Sequence, residues 1–183
     1  MSKLSQAIAE GDGISFIVEV DDAASARSAE LQGADGLAAV GGGVNAVRVT
    51  SQLPLLHLGR MFDASGADAE AVVIKPDLAM WDEAHALSLE CVVRISAPED
   101  IEKAMRWFDP EVFLLTVSEE ADEDPLTVLL ELLHDVPAGK LAIAELRDAT
   151  PDDVSELERS GMDAVLVSHT GLGELVHAGP PEV

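Results

Sequence analysis

The sequence predicts an α/β fold, a compact (β/α)8 barrel occupying residues 1–183 as one domain. Three observations carry this. Eight short apolar runs recur along the chain, helix signals separate most of them, and one phrase, Gly-x-Asp-small, punctuates helix ends. Strands alternating with helices lie parallel in one sheet. Eight of them favour closure into a barrel, and no Gly-rich dinucleotide fingerprint supports the open-sheet alternative.

The strand candidates are 15–20, 36–40, 54–58, 71–75, 91–95, 112–117, 141–146 and 164–168. Most are continuous apolar runs rather than alternating ones, as expected for strands covered on both faces. Hydrophobic residues make up 48% of the chain but aromatics only 3%, so Val, Leu, Ile and Ala must fill the core.

Helix starts follow several of these runs. Ser96-Ala97-Pro98-Glu99 reads as a capping box. Asp124-Pro125 and Thr150-Pro151 each place a capping side chain before a first-turn proline, and Asp77 can cap the helix after Pro76. Spaced apolar residues follow: Ile101, Met105 and Phe108, then Leu126, Leu129, Leu130 and Leu133, then Val154 and Leu157. Trp81 and Trp107 fall on helices as packing anchors. The closing phrase appears at Gly33-Ala34-Asp35-Gly36, Gly66-Ala67-Asp68-Ala69 and Gly161-Met162-Asp163-Ala164. Glycine supplies a left-handed residue that stops a helix, and the Asp suits the turn.

The chain is short for such a barrel, which runs typically about 250 residues. The shortfall falls between strands two and four. Only a helical stub around 44–51 and two turns in 60–66 fit there, so helices 2 and 3 are expected to be shortened or missing. A thinly covered flank exposes apolar surface and favours a homo-oligomer or a protein partner. Gly41-Gly42-Gly43 follows a strand and reads as a flexible turn or, less simply, a phosphate cradle.

Composition narrows the function. The formal charge of −24, from 35 acidic and 11 basic residues, repels phosphate backbones and argues against nucleic acid. Such an acidic, lysine-poor chain has a well-solvated surface, or reflects a salt-adapted host. No apolar run reaches the roughly 18 residues that span a bilayer, and residues 1–13 lack a signal pattern, so a cytoplasmic location is expected. Cys91 is the only cysteine, which excludes an internal disulfide. His57 and His169 lack a partner at metal-ligand spacing, Ser168 lacks a Gly-x-Ser-x-Gly setting, and His85, His134 and His177 are expected on the surface. No metal or cofactor is implied.

Over residues 15–177 the sequence resembles indole-3-glycerol phosphate synthase, the indole-forming TIM barrel of tryptophan biosynthesis. The likeness is carried by Phe16-Ile17-Val18-Glu19-Val20, which looks like the family's first strand, by 89–117, and by 141–171. Residues 16–40 are also similar to the barrel subunit of pyridoxal phosphate synthase.

The resemblance implies catalytic positions that are mostly altered here. Glu19 matches the first-strand glutamate, but Asp21 replaces the lysine that follows it. The third strand's acid lysine falls on Leu58 within Pro54-Leu55-Leu56-His57-Leu58-Gly59. Arg94 stands for the fifth-strand glutamate and Thr116 for the sixth-strand asparagine. Ala144-Glu145 matches the seventh strand, where Leu146 and Arg147 then replace Ser and Gly. Val167-Ser168-His169 replaces Val-Gly-Glu, and the family's capping N-terminal extension has no counterpart.

Ring closure and dehydration need a proton donor beside the forming bond, and leucine cannot donate. Phosphate needs backbone N–H groups after strands seven and eight, where only Gly171 and Gly173 remain. The expectation is a barrel without synthase activity, acting as a pseudoenzyme or as a binding or structural subunit. The alternative is a lyase or isomerase for a phosphorylated or carboxylated metabolite.

Barrel enzymes place chemistry at the C-terminal ends of strands. The candidate catalytic residues are therefore Glu19, Lys75 and Glu145, and the candidate binders of a small anionic metabolite are His57, Arg94, Thr116, His169 and Gly171. A partly buried Lys75 acts as a Schiff-base nucleophile, or pairs with Glu145 or a nearby Asp. Arg94 grips a carboxylate or phosphate, or pairs with Glu19 or Glu145 and closes the mouth.

Overall fold

A computed structural model describes residues 3–41, 43–59, 69–118 and 122–176. Eight parallel strands close into a ring in sequence order, with β8 pairing back to β1. The strands are β1 (Ser15–Glu19), β2 (Gly36–Ala39), β3 (Leu55–His57), β4 (Ala71–Ile74), β5 (Glu90–Ile95), β6 (Val112–Leu115), β7 (Leu141–Glu145) and β8 (Ala164–Ser168). The described helices are α1 (Lys3–Glu10), α2 (Ala23–Leu31), α3 (Gly43–Thr50), α4 (Leu78–Ala86), α5 (Pro98–Trp107), α6 (Pro125–Asp135), α7 (Pro151–Arg159) and α8 (Leu172–Val176). This is the compact (β/α)8 TIM barrel that the apolar runs announce. The expected two turns within 60–66 and His177 lie outside the described residues.

Alternation along each strand splits the apolar residues into two layers. Outward residues, such as Val18, Leu37, Val93, Phe113 and Val165, pack under the helices. Inward residues, including Ile17, Ala38, Leu56, Val92, Leu114, Ile143 and Leu166, fill the barrel. Small aliphatic side chains suit this axis, because inward layers from neighbouring strands must interdigitate in little space. The floor is closed by α1, an element that the strand and helix signals of the sequence do not mark. Its Leu4 and Ile8, four residues apart on one face, join the inner layer.

Helix starts follow the capping logic with one correction. Asp77, Asp124 and Thr150 cap α4, α6 and α7, and Asp22 caps α2. At α5 the N-cap is Ala97, which has no side chain to cap with. Asp100 instead reaches back to the Ser96 N–H and hydroxyl, each at 3.2 Å. Glycine ends α2 and α7 at Gly33 (φ 96°) and Gly161 (φ 90°). The same left-handed stop follows α4 and α5 at Ser88 (φ 59°) and Asp109 (φ 49°), so the glycine phrase marks only part of the repeat.

The acid of that phrase does more than suit a turn. Asp35 Oδ2 accepts the Phe16 N–H at 2.8 Å, and Asp163 Oδ2 accepts the Ala142 N–H at 2.8 Å. Each carboxylate sits just before one strand and satisfies the first free N–H of the preceding one. Glu70 does the same for Leu55 at 2.9 Å, and also pairs with Arg48. An orphan N–H at the barrel floor would cost more than most hydrogen bonds return.

Trp81 stacks on Phe108 with ring centroids 5.0 Å apart, as an anchor should. Trp107 is a correction: it is 52% exposed and meets Phe108 only edge-on.

Candidate active site at the barrel mouth

The mouth is set by which residues the alternation turns inward at the C-terminal strand ends. On β1, β5, β6 and β7 those are Glu19, Arg94, Thr116 and Glu145, the last three bordering one cavity. It measures about 590 Å3 and is also lined by Val117, Leu126, Leu146, Arg147 and Asp148. This volume lies in the range of small-ligand sites.

Arg147, two residues past β7, is the hub. Its Nε lies 2.9 Å from Glu19 Oε2 and its Nη2 lies 3.0 Å from Glu145 Oε1. The planar fork thus ties β1 to β7 across β8. Ser168 holds this loop in place, since its N–H and hydroxyl both donate to the Arg147 carbonyl, at 3.0 and 2.9 Å. Arg94 approaches the other oxygen of Glu145, with Nη2 at 3.4 Å from Oε2. That contact is an ion pair without hydrogen-bond geometry, and Oε2 is a buried acceptor with no donor. Arg94 therefore keeps donors for a ligand. Sequence reasoning treated Arg147 only as a lost glycine. Its signal was parity: two residues after Glu145, it shares the inward face.

Other candidates sit elsewhere. His57 is completely buried. It shares the outward face of β3 with Leu55, and Gly59 lies close over its ring. As placed, it does not reach the mouth. The residue turned inward there is Leu58, packed against the inner layer. Lys75 is exposed rather than partly buried, and makes no ion pair with Glu145, whose oxygens face Arg94 and Arg147 instead. His169 and Gly171 are exposed on the β8 side. His169 adds a minor electrostatic pull to Asp22, whose carboxyl is held below its ordinary value chiefly by the Ser25 N–H and hydroxyl. The Gly171 carbonyl accepts from Glu174, and the Gly173 N–H already donates to Gln32 Oε1 at 2.9 Å. One of the two expected phosphate donors is thus engaged. At the glycine run, Gly43 and Val44 donate to the carbonyls of Val40 and Gly41, which makes a tight turn into α3 rather than a cradle.

Two further chemistries find no support among the described residues. No cluster of three His, Cys, Asp or Glu could hold a metal ion. The Cys91 thiol is pushed up to about 12 by burial, with Glu90 adding to the shift, so its nucleophilic thiolate is scarce at neutral pH. No described helix is long and apolar enough to cross a membrane.

No protein-family model matches the chain. Curated sequences do. The chain is 28% identical to indole-3-glycerol phosphate synthase of Halalkalibacterium halodurans over 104 residues, which is 56% of this chain and 39% of that one. It is 26% identical to the synthase of Geobacillus sp. (strain WCH70) over 138 residues, 68% of this chain and 54% of that one. Over these segments it is similar to the indole-3-glycerol phosphate synthases. The matches span about half or less of those synthases' length. Two solved barrels share the fold. They are the N-acetylmannosamine-6-phosphate 2-epimerase of Clostridium perfringens (TM-score 0.70, 16% identity, 85% of this chain and 86% of that one) and the thiamine phosphate pyrophosphorylase of Pyrococcus furiosus (TM-score 0.68, 15% identity, 90% and 91%). At such identity only the fold is common ground. At the mouth, Glu19 and Glu145 are both bonded to Arg147.

Proposed function

We propose that this chain is a synthase-derived barrel that has lost the indole-forming reaction and holds a small carboxylate or phosphate at its mouth. The observation that carries this reading is Leu58. A hydrocarbon packed into the inner layer stands at the strand position of the family's acid lysine. Ring closure there would lack its proton donor. The retained acids do not replace it, because Glu19 and Glu145 are both bonded to the Arg147 guanidinium. Arg94, one-third exposed on the cavity wall with donors to spare, is the group that grips the anion. Thr116 and Arg147 flank it.

Steady-state assay of the anthranilate-derived sugar phosphate tests the first half. No indole-containing product is expected above background, and efficient turnover would refute the reading. A thermal-shift screen of sugar phosphates and carboxylates tests the second half. A stabilising ligand should lose its effect in Arg94→Ala, since a ligand raises stability only by its affinity for the folded state.

The lyase or isomerase reading rests on Lys75, whose exposed ammonium forms no ion pair with a described carboxylate. Borohydride trapping with candidate aldehydes, read by mass spectrometry at Lys75, separates it from the binding reading.

A further inference from the structure

The α2–α3 flank differs from the rest of the surface. Between the two helices runs a groove of about 490 Å3, lined by Ala23, Ala24, Arg27, Ser28, Leu31 and Thr50. Leu31 stands 83% exposed at one end, and Val49, beside Thr50, is 86% exposed. Charge sets this face apart as strongly as hydrophobicity does. Across both helices Glu30 is the single acid, against an exposed Arg27, while Arg48 is turned away into its pair with Glu70, in a chain of formal charge −24. By contrast α7 alone carries Asp152, Asp153, Glu156 and Glu158.

We propose that this face is the contact between two copies of the chain, related by a two-fold axis across α2. Two such acidic molecules repel over most of their surface, and here they can touch without setting acid against acid. A two-fold contact is self-complementary. Arg27 and Glu30 are both exposed on α2, three residues apart. With α2 antiparallel to its copy, each Arg27 faces the partner's Glu30, so one charge pair is made twice. The small side chains of Ala23, Ala24 and Ser28 leave the groove into which the partner's Leu31 fits. The floor of the barrel, the mouth cavity and its ligand take no part, so this inference stands apart from the proposed function.

Sedimentation equilibrium of the whole chain tests it. The expected species is a dimer of twice 19.2 kDa. Its dissociation constant should fall as salt rises, because screening shortens to about 3 Å at 1 M and removes the overall repulsion. Leu31→Glu and Val49→Glu, both at positions almost wholly in water, should raise the constant at least tenfold without moving the melting temperature of dilute protein. Arg27→Glu should weaken the dimer similarly, and Arg27→Glu combined with Glu30→Arg should restore it. The proposal is overturned by a monomer at every salt and concentration, by a dimer that ignores the Leu31 and Val49 changes, or by a charge swap that fails to restore what Arg27→Glu removed.

Discussion

Asp35, Glu70 and Asp163 at the floor of the barrel each accept a backbone N–H from the neighbouring strand, whereas Glu19 and Glu145 at the mouth are bonded to arginine side chains. The floor acids are tied to groups that the fold itself cannot leave unpaired. Their geometry repeats because the βα unit repeats. The mouth acids answer to the side chains of Arg147 and Arg94, which no backbone group of the fold requires. Stability is thus concentrated at one end and freedom to change at the other, the usual division of labour in this architecture.

The sharpest way to break that division is Glu70→Ala. Glu70 serves both the Leu55 N–H and the guanidinium of Arg48, and the side chains of both ion-pair partners are less than one-fifth exposed. Truncation strands a mostly buried cation that then keeps only the carbonyls of Ser51 and Leu53. Losing one member of such a pair costs about 3–5 kcal/mol. Denaturant unfolding should show a loss of that order, with the mouth's ligand affinity unchanged in the protein that remains folded.

Asp163→Ala sharpens the comparison further, because its effect should depend on pH. The lost partner of the Ala142 N–H predicts destabilisation of about 1–3 kcal/mol. Burial holds the Asp163 carboxyl above its ordinary value of 3.8, against the opposing pull of the Ala142 N–H. A raised carboxyl takes its proton in the folded state before the unfolded one does. As pH falls from neutral through the raised value towards 3.8, wild type therefore sheds the cost of a buried charge, and the alanine variant has none to shed. The stability gap between them should widen over that window, as read by denaturation at a series of pH values. Asp22 has the opposite sign: its lowered carboxyl stabilises above 3.8, and that contribution is lost as pH falls through its lower folded value.

The floor was also the end more legible in the sequence. Short apolar runs, most of them continuous, marked all eight strands, and each observed strand lies within one residue of its run at the N-terminal end. The Gly-x-Asp phrase repeated because the backbone needs it repeatedly. What escaped was whatever depends on a partner distant in sequence. Asp35 reads as a turn residue until Phe16 is beside it. α1 escaped because two apolar residues, Leu4 and Ile8, make only a weak periodic signal, and only the open barrel floor gives them a place to go. At the mouth, His57 and Leu58 are neighbours with opposite faces, so a shift of one residue in strand parity exchanges a buried imidazole for an inward leucine. Arg147 was visible as a substitution, but its bonds to two strands required the ring to close.

Arg147→Ala is the smallest expected effect on stability and the most direct counterpart of Glu70→Ala, since both break an arginine–carboxylate pair. Arg147 is half in water, and its removal opens Glu145 to the mouth cavity rather than sealing it in. Exposed pairs contribute up to about 1 kcal/mol, so the unfolding free energy should change by no more than that. What should move is the site. Glu145 Oε1 loses its donor, leaving Arg94, already 3.4 Å from Oε2, as the nearest cation. Drawn onto the carboxylate, Arg94 has fewer donors for an anion, and affinity for any ligand found in the thermal-shift screen should fall. A loss of stability comparable to that of Glu70→Ala would instead mean that the mouth network holds the barrel together, and the contrast between the two ends would fail.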